Sequence, residues 1–471
     1  MESPLAGRHL ALIGFMGAGK TRLGEEVARR LDRPFIDLDE EIERRVGDIS
    51  DFFDRFGEAP FRNVETTSLE SVLESNRWAV VALGGGAVTS SGVREALRRH
   101  AFTVLIEVGA DEAWHRVGES GRPLARDQAS FRAIFDERAP LYGEAADASA
   151  READDVVLAA AGIHVEVGAL EGLGELVPGE GDVALVADSR VAGIHGAAAQ
   201  VTLGARLSST HELPAGEEAK TVGACEHLWR ELRLGRTGSL VALGGGCTTD
   251  AAGFVAATFL RGVAWVPVPT TLVGQVDAAI GGKTGIDLVQ GKNLICAFHW
   301  PVRTIVDPGT LQTLPEHEYA AGMGEVVKTG LLAGEPLWEL SVPELVRRCA
   351  AFKAAVCLRD PLDRGPRAVL NLGHTFAHAL EAASGYTLPH GRAVALGLRA
   401  ALRLSGMSTD VVDNVLRPER VPVDRDEAWA ALKRDKKGEG VYVLLDGLGR
   451  PVVMSVSDAD ARRALDELIA G

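Results

Sequence analysis

Gly14-Phe15-Met16-Gly17-Ala18-Gly19-Lys20-Thr21 follows the strand-like run His9-Leu10-Ala11-Leu12-Ile13 and leads into Thr21 to Leu31, where Leu23, Val27 and Leu31 recur every fourth residue. The spacing is G-x-x-x-x-G-K-[ST], and it sits after a strand and before a helix. In that setting glycines let backbone N–H groups wrap phosphates, the lysine reaches the terminal phosphates and the hydroxyl can bind Mg²⁺. Gly17, Ala18, Gly19, Lys20 and Thr21 are therefore candidate nucleotide contacts, with Thr21 also a magnesium ligand. Further along, Ala79-Val80-Val81-Ala82-Leu83 feeds Gly84-Gly85-Gly86, and Thr103 to Val108 reads as another strand. Apolar strands alternating with helices predict a parallel α/β sheet covered on both faces.

Asp37-Leu38-Asp39 follows Phe35-Ile36 at the expected end of a strand. Two acids at i, i+2 on a strand point to one side, so one can serve the magnesium shell while the other takes a hydroxyl proton. Next come Gly57-Glu58-Ala59-Pro60-Phe61-Arg62-Asn63-Val64-Glu65, the Gly84 to Gly86 turn, Gly121-Arg122-Pro123-Leu124 and Glu137-Arg138-Ala139-Pro140-Leu141-Tyr142. In this order and spacing, residues 8 to 158 resemble the shikimate kinase family. The resemblance implies a P-loop kinase fold that uses ATP and Mg²⁺ to phosphorylate shikimate. It implies that Asp39, Arg62, Gly85 and Arg138 hold shikimate, that Asp39 activates the hydroxyl and that Asp37 supports magnesium. Arg122 is expected in a lid over the ATP phosphates. Arg62 and Arg138 also suit a substrate carboxylate on chemical grounds, because a guanidinium pairs with it through two parallel hydrogen bonds.

A second set of motifs fills the rest of the chain. Leu240-Val241-Ala242-Leu243 runs into Gly244-Gly245-Gly246, with Asp250 four residues on, which suits a dinucleotide pyrophosphate at a helix start. His374 and His378 fall at i, i+4 on one helix face, His390 follows in Pro389-His390-Gly391, and Glu325 lies upstream in Gly324-Glu325-Val326-Val327-Lys328. A glutamate and two histidines with a position left open is the donor set of a catalytic zinc. Arg261, Lys283, Lys292, Lys328, Lys353, Arg367 and Lys436-Lys437 surround these motifs in an otherwise acidic chain. Several stand in apolar or glycine-rich text, as expected of a pocket for a phosphorylated carboxylic acid.

Leu213-Pro214-Ala215-Gly216-Glu217-Glu218-Ala219-Lys220, Arg261-Gly262-Val263, Val268-Pro269-Thr270-Thr271, Gln275-Val276-Asp277, Gly281-Gly282-Lys283-Thr284 and Gly291-Lys292-Asn293 join these motifs. So do Leu370-Asn371-Leu372-Gly373-His374-Thr375 and Arg434-Asp435-Lys436-Lys437. Together, residues 163 to 471 resemble 3-dehydroquinate synthase. The resemblance implies NAD⁺, a Zn²⁺ or Co²⁺ ion, and conversion of 3-deoxy-arabino-heptulosonate 7-phosphate to 3-dehydroquinate with loss of phosphate. By it, Glu325, His374 and His390 hold the metal. Asp188, Glu217, Lys220, Gly245, Gly246, Asp250, Thr270, Thr271, Lys283 and Lys292 contact NAD. Asp277, Lys283, Asn293, Lys328, Lys353, Arg367, Asn371, His378 and Lys436 face the substrate, with Lys283, Lys328, Lys353 and His378 taking part in the chemistry. Arg261 reaches the substrate phosphate of a neighbouring subunit, which implies a homodimer. Competing expectations for this half are another sugar phosphate cyclase and a metal-dependent polyol dehydrogenase. A nucleotide-sensing protein with one dead half fits less well, because Lys20 and all three metal donors are present.

The 471 residues suit two to four domains. The expected divisions are 1–160, a kinase-like domain; 161–312, a nucleotide-binding α/β part; and 313–471, a mainly helical metal and substrate part. The net charge of −16 argues against nucleic acid or an anionic membrane as partner and leaves small-molecule substrates. Five cysteines without C-x-x-C spacing point to a reducing, cytoplasmic setting.

Overall fold

The computed structural model describes residues 2–75, 77–118, 127–435 and 440–470. Arg122 and Lys436, with Lys437, lie outside the described residues. The chain divides into two compact units, Glu2–Gly162 and Ile163–Gly471.

In the first unit, β1 (His9–Ile13), β2 (Phe35–Asp37), β3 (Val80–Ala82), β4 (Ala101–Ile106) and β5 (Ala148–Ala150) form a parallel sheet ordered β2-β3-β1-β4-β5. Every residue of β1 is buried, as its central place requires. His9 is tolerated there because its Nδ1 accepts the Ala79 N–H at 3.2 Å and burial lowers its pKa, keeping the ring neutral. β4 begins at Ala101, two residues earlier than the Thr103 read from the sequence, because Ala101 and Phe102 pair with His9 and Leu10. Asp37 stands at a strand end as expected, and Asp39 departs from expectation. Asp37 ends β2 and caps the helix Leu38–Val46, its side chain accepting the Asp39 N–H at 3.0 Å. Asp39 thus lies in the first turn of a helix and does not share a strand face with Asp37, because a carboxylate is a strong N-cap acceptor.

The second unit begins with β6 (Ile163–Val165). A parallel sheet of β7 (Val183–Asp188), β8 (Leu207–Leu213), β9 (Ser239–Gly244) and β10 (Ala264–Pro269) follows, ordered β10-β9-β7-β8. β7 and β9 are buried throughout and carry the continuous apolar sequence of strands covered on both faces. A hairpin of β11 (Lys283–Leu288) and β12 (Gly291–Phe298) packs on the helix Gly246–Thr258, and β13 (Thr304–Val306) pairs with β6. Beyond Glu316 the chain is mainly helical, but Val441–Leu445 (β14) and Pro451–Ser455 (β15) form an antiparallel hairpin. Its β-branched Val441 and Val443 and the glycines 447 and 449 favour strands and a turn over continued helix. No helix among the described residues is long and apolar enough to cross a membrane.

Candidate active sites

In the first unit the glycine loop joins β1 to the helix Lys20–Leu31, with Gly19 capping that helix at φ 85°, a conformation that glycine enters without strain. Lys20 Nζ donates to the carbonyls of Gly14 at 2.8 Å and Phe15 at 3.1 Å, folding back across the loop. Thr21 Oγ1 donates to Asp37 Oδ2 at 2.8 Å, so the two expected magnesium donors already meet.

The turn Gly84 to Gly86 is the floor on which the other residues converge. A Cβ on Gly84 would stand 2.6 Å from Asp39 Oδ1, and one on Gly86 would stand 2.4 Å from Arg62 Nη2. Only glycine lets both groups come so close. Arg138 Nη1 and Tyr142 Oη both donate to the Gly85 carbonyl, at 3.2 and 2.5 Å. Asp39, Arg62, Gly85 and Arg138 are thus brought together. Sequence reasoning missed the groups that hold them. Glu65, 1 % exposed, takes Arg62 Nη1 at 2.7 Å, and Glu58 takes Nη2 at 3.2 Å. Burial raises the Glu65 pKa, with Arg62 opposing it, and pushes the Tyr142 hydroxyl up to about 12. Glu58, Arg62 and Glu65 fall at i, i+4 and i+7 of one helix, Glu58–Leu73, a spacing that could have revealed the anchor.

In the second unit a cavity of about 1160 Å³ is lined by Asp188, Glu217, Lys220, Gly245, Gly246, Asp250, Thr270, Thr271, Asp277, Lys292, Asn293, His378 and His390. Asp188 ends β7 and accepts the N–H groups of Arg190 and Val191 at 2.8 and 3.3 Å. Gly245 caps the helix Gly246–Thr258 without a side-chain partner, so the helix start faces the cavity with backbone alone. Lys220, 5 % exposed, donates to Asp250 Oδ2 at 2.8 Å. Burial pulls its pKa down, but Asp250, Asp287 and Glu217 outweigh it and raise the value. Lys292 pairs with Glu217.

Glu325, His374 and His390 each offer one ligand atom, and these atoms lie within 4.8 Å of one another. Glu325 Oε1 is 3.4 Å from both His374 Nε2 and His390 Nε2, and Lys328 ion-pairs with Oε2. Oε1, fully buried, makes no directed hydrogen bond and faces only the two imidazole Nε2 atoms, an arrangement that a cation fits. Burial would raise the Glu325 pKa, but Lys328 and His374 pull it down and keep it charged. Burial lowers the His374 pKa. At His390 burial is overridden by Glu325 and Glu381, and the pKa is pushed up to about 10.

Next to this cluster, Asp277 sits in a π-helical turn, Gly274–Ala278, with Oδ1 2.8 Å from Lys353 Nζ and 3.6 Å from Lys328 Nζ. Its carbonyl also accepts from Lys353 at 2.6 Å. Lys328, Lys353 and Arg367 are buried, 2, 8 and 3 % exposed, and none of them lines the cavity surface. Arg367 donates to the Gly281 carbonyl at 3.1 Å. Lys283 turns instead to Asp363, 2.5 Å away, and Arg261 and Asn371 are exposed and also off the cavity wall. Glu381 and Asp360 were missed. Glu381 lines the cavity and meets His390 Nδ1, and Asp360 fixes the loop before Arg367 by accepting three of its backbone N–H groups. Glu381 lies seven residues after His374 on the same helix, a spacing that places both on one face.

Three family models match the chain: shikimate kinase over residues 16–163, the N-terminal part of 3-dehydroquinate synthase over 210–321 and its C-terminal part over 322–438. The 3-dehydroquinate synthase of Streptomyces avermitilis is 40% identical over 279 residues, 52% of this chain and 77% of that protein. That of Symbiobacterium thermophilum is 41% identical over 312 residues, 58% of this chain and 87% of that protein. A solved 2-deoxy-scyllo-inosose synthase, complexed with carbaglucose-6-phosphate, NAD⁺ and Co²⁺, is 25% identical and superposes with a TM-score of 0.59, covering 65% of this chain and 96% of that one. With two synthase parts in sequence and a kinase domain ahead of them, the chain belongs to the 3-dehydroquinate synthase family and joins that enzyme to a shikimate kinase in one bifunctional polypeptide of the shikimate pathway.

Proposed function

We propose that residues 1–160 transfer phosphate from ATP, with Mg²⁺, to a shikimate hydroxyl. We propose equally that 161–312 and 313–471 together convert the heptulosonate phosphate to 3-dehydroquinate around NAD⁺ and Zn²⁺ or Co²⁺. The observation that carries the synthase half is the Glu325, His374, His390 cluster packed beside buried Lys328 and Lys353 and their partner Asp277, next to a cavity of about 1160 Å³.

In the kinase site the Arg62 and Arg138 forks bind the shikimate carboxylate, with Glu58 and Glu65 fixing the first of them. Asp39 accepts the hydroxyl proton, Lys20 swings from its carbonyl contacts to the phosphates, and Thr21 with Asp37 holds magnesium. Arg122 meets charge developing on the transferred group.

In the synthase site Asp188, Glu217, Lys220, Asp250, Thr270 and Thr271, with the Gly245–Gly246 turn and Lys292, hold NAD⁺. When bound, the metal and NAD⁺ supply Lewis acidity at a ring hydroxyl and a hydride acceptor that is regenerated. Lys328, Lys353, Arg367 and Asn371 receive the anionic substrate, which takes over from Asp277 as partner of the two lysines. Lys283 leaves Asp363 to join them, Asn293 lines the pocket, His378 on the cavity wall relays protons, and Lys436 is carried over from the resemblance as a further substrate contact. Arg261, exposed on a turn, acts across a homodimer, and the enzyme works in the cytoplasm.

The test is phosphate release from the heptulosonate phosphate, with and without chelator, beside ADP release on shikimate. Metal-dependent phosphate release without net NADH supports the synthase reading, and steady NADH accumulation from a polyol refutes it.

A further inference from the structure

We propose that Glu381 is a positioning residue for the metal centre, taking the Nδ1–H of His390 and so holding that ring with Nε2 turned towards Glu325. The inference rests on the reading of Glu325, His374 and His390 as a metal site. Glu381 Oε1 is 3.2 Å from His390 Nδ1, while His390 Nε2 is 3.4 Å from Glu325 Oε1. With a metal on Nε2 the His390 ring is neutral and carries one proton. If Nδ1 donates it to Glu381, Nε2 keeps a lone pair, and that lone pair faces the cluster.

His374 uses the same device with a different acceptor. Its Nδ1 faces the Leu372 carbonyl at 3.3 Å, and its Nε2 is likewise 3.4 Å from Glu325 Oε1. The two rings differ in how packing holds them. The His374 side chain is 12 % exposed, whereas that of His390, at the start of its helix after Pro389, is 41 % exposed. Packing fixes the first ring, and the second depends on its hydrogen bond. Glu381 can supply that bond because it is 6 % exposed and sits on the His374–Ala383 helix, so one rigid helix carries a ligand and the anchor of another ligand.

The test titrates the metal-free full-length chain with Co²⁺, reading the visible absorption of the ion and the dissociation constant by chelator competition, in the wild type, E381Q and E381A. Loss of such an outer hydrogen bond weakens metal binding about 10- to 100-fold, which is the expectation for E381A, with an altered Co²⁺ spectrum. E381Q keeps an acceptor of the same size and recovers part of the affinity and of the spectrum. Melting of the metal-free variants separates this from a purely structural role, which moves the melting temperature and leaves the affinity alone. If E381A does not fold, E381Q decides, with about tenfold weaker binding expected. Folded variants that match wild-type affinity and spectrum overturn the proposal. A wild type that binds no Co²⁺ instead overturns the metal-site reading, and the inference with it.

Discussion

Replacing Asp277 with asparagine removes a carboxylate shared by two buried lysines. Its Oδ1 stands 2.8 Å from Lys353 Nζ and 3.6 Å from Lys328 Nζ. With an effective dielectric constant of about 20, the gross attractions at those distances are about 6 and 5 kcal/mol. Most of this offsets the cost of taking the charges out of water. Breaking a buried pair while leaving one charge behind costs about 3–5 kcal/mol net. The lower end applies here, because Lys353 keeps the Asp277 carbonyl and Lys328 keeps Glu325. About 3 kcal/mol corresponds to a fall of about 5 °C in melting temperature for a unit of this size.

Calorimetry of the full chain in chelator reads this directly, following the transition that NAD⁺ shifts upward. Inorganic phosphate supplies the complementary half of the test. With the carboxylate gone, an anion is the natural partner for Lys328 and Lys353, so phosphate should raise the melting temperature of D277N more than that of the wild type. An Asp277→Asn variant that melts within 1 °C of the wild type, with no larger response to phosphate, refutes the view that Asp277 balances the two lysines.

Two further outcomes follow from the same structure. Lys20→Ala should lower shikimate-dependent ADP release by about 100-fold or more, since it removes a cation aimed at the transferring phosphates, while phosphate release by the synthase half is unchanged. The thiols of Cys247 and Cys349 are pushed up to about 12 and that of Cys225 to about 11 by burial. Their thiolate fraction at pH 8 is about 10⁻³ or less and rises tenfold per pH unit, so iodoacetamide should modify exposed Cys296 first, as mass spectrometry of the folded chain will show. Rapid labelling of Cys247 at pH 8 would contradict its placement.

The features legible in the sequence are those whose geometry is local. The cradle Gly14 to Thr21 is a turn between one strand and one helix, so spacing alone carries it. Glu325 and Lys328 at i, i+3 share a helix face for the same reason. Asp37 and Asp39 show the limit of such reading. Asp37 closes its strand as read, but it also caps a helix that carries Asp39 off the strand face, because backbone N–H groups at the start of Leu38–Val46 needed an acceptor.

By itself, then, the sequence determined the two alternating α/β patterns and the phosphate cradle, because each is written in spacings of a few residues, whereas Glu325, His374 and His390 stand 49 and 16 residues apart and only the fold brings them together. Tertiary structure alone decided which charges meet. Asp277 reaches Lys353, 76 residues on, and Lys283 turns to Asp363, 80 residues on. It also decided that Lys328, Lys353 and Arg367 lie buried while Arg261 stays in solvent. A lysine in a sequence has the same text whether it is solvated or buried. Its role depends on the dielectric around it and on the partner brought to it, and long-range packing sets both.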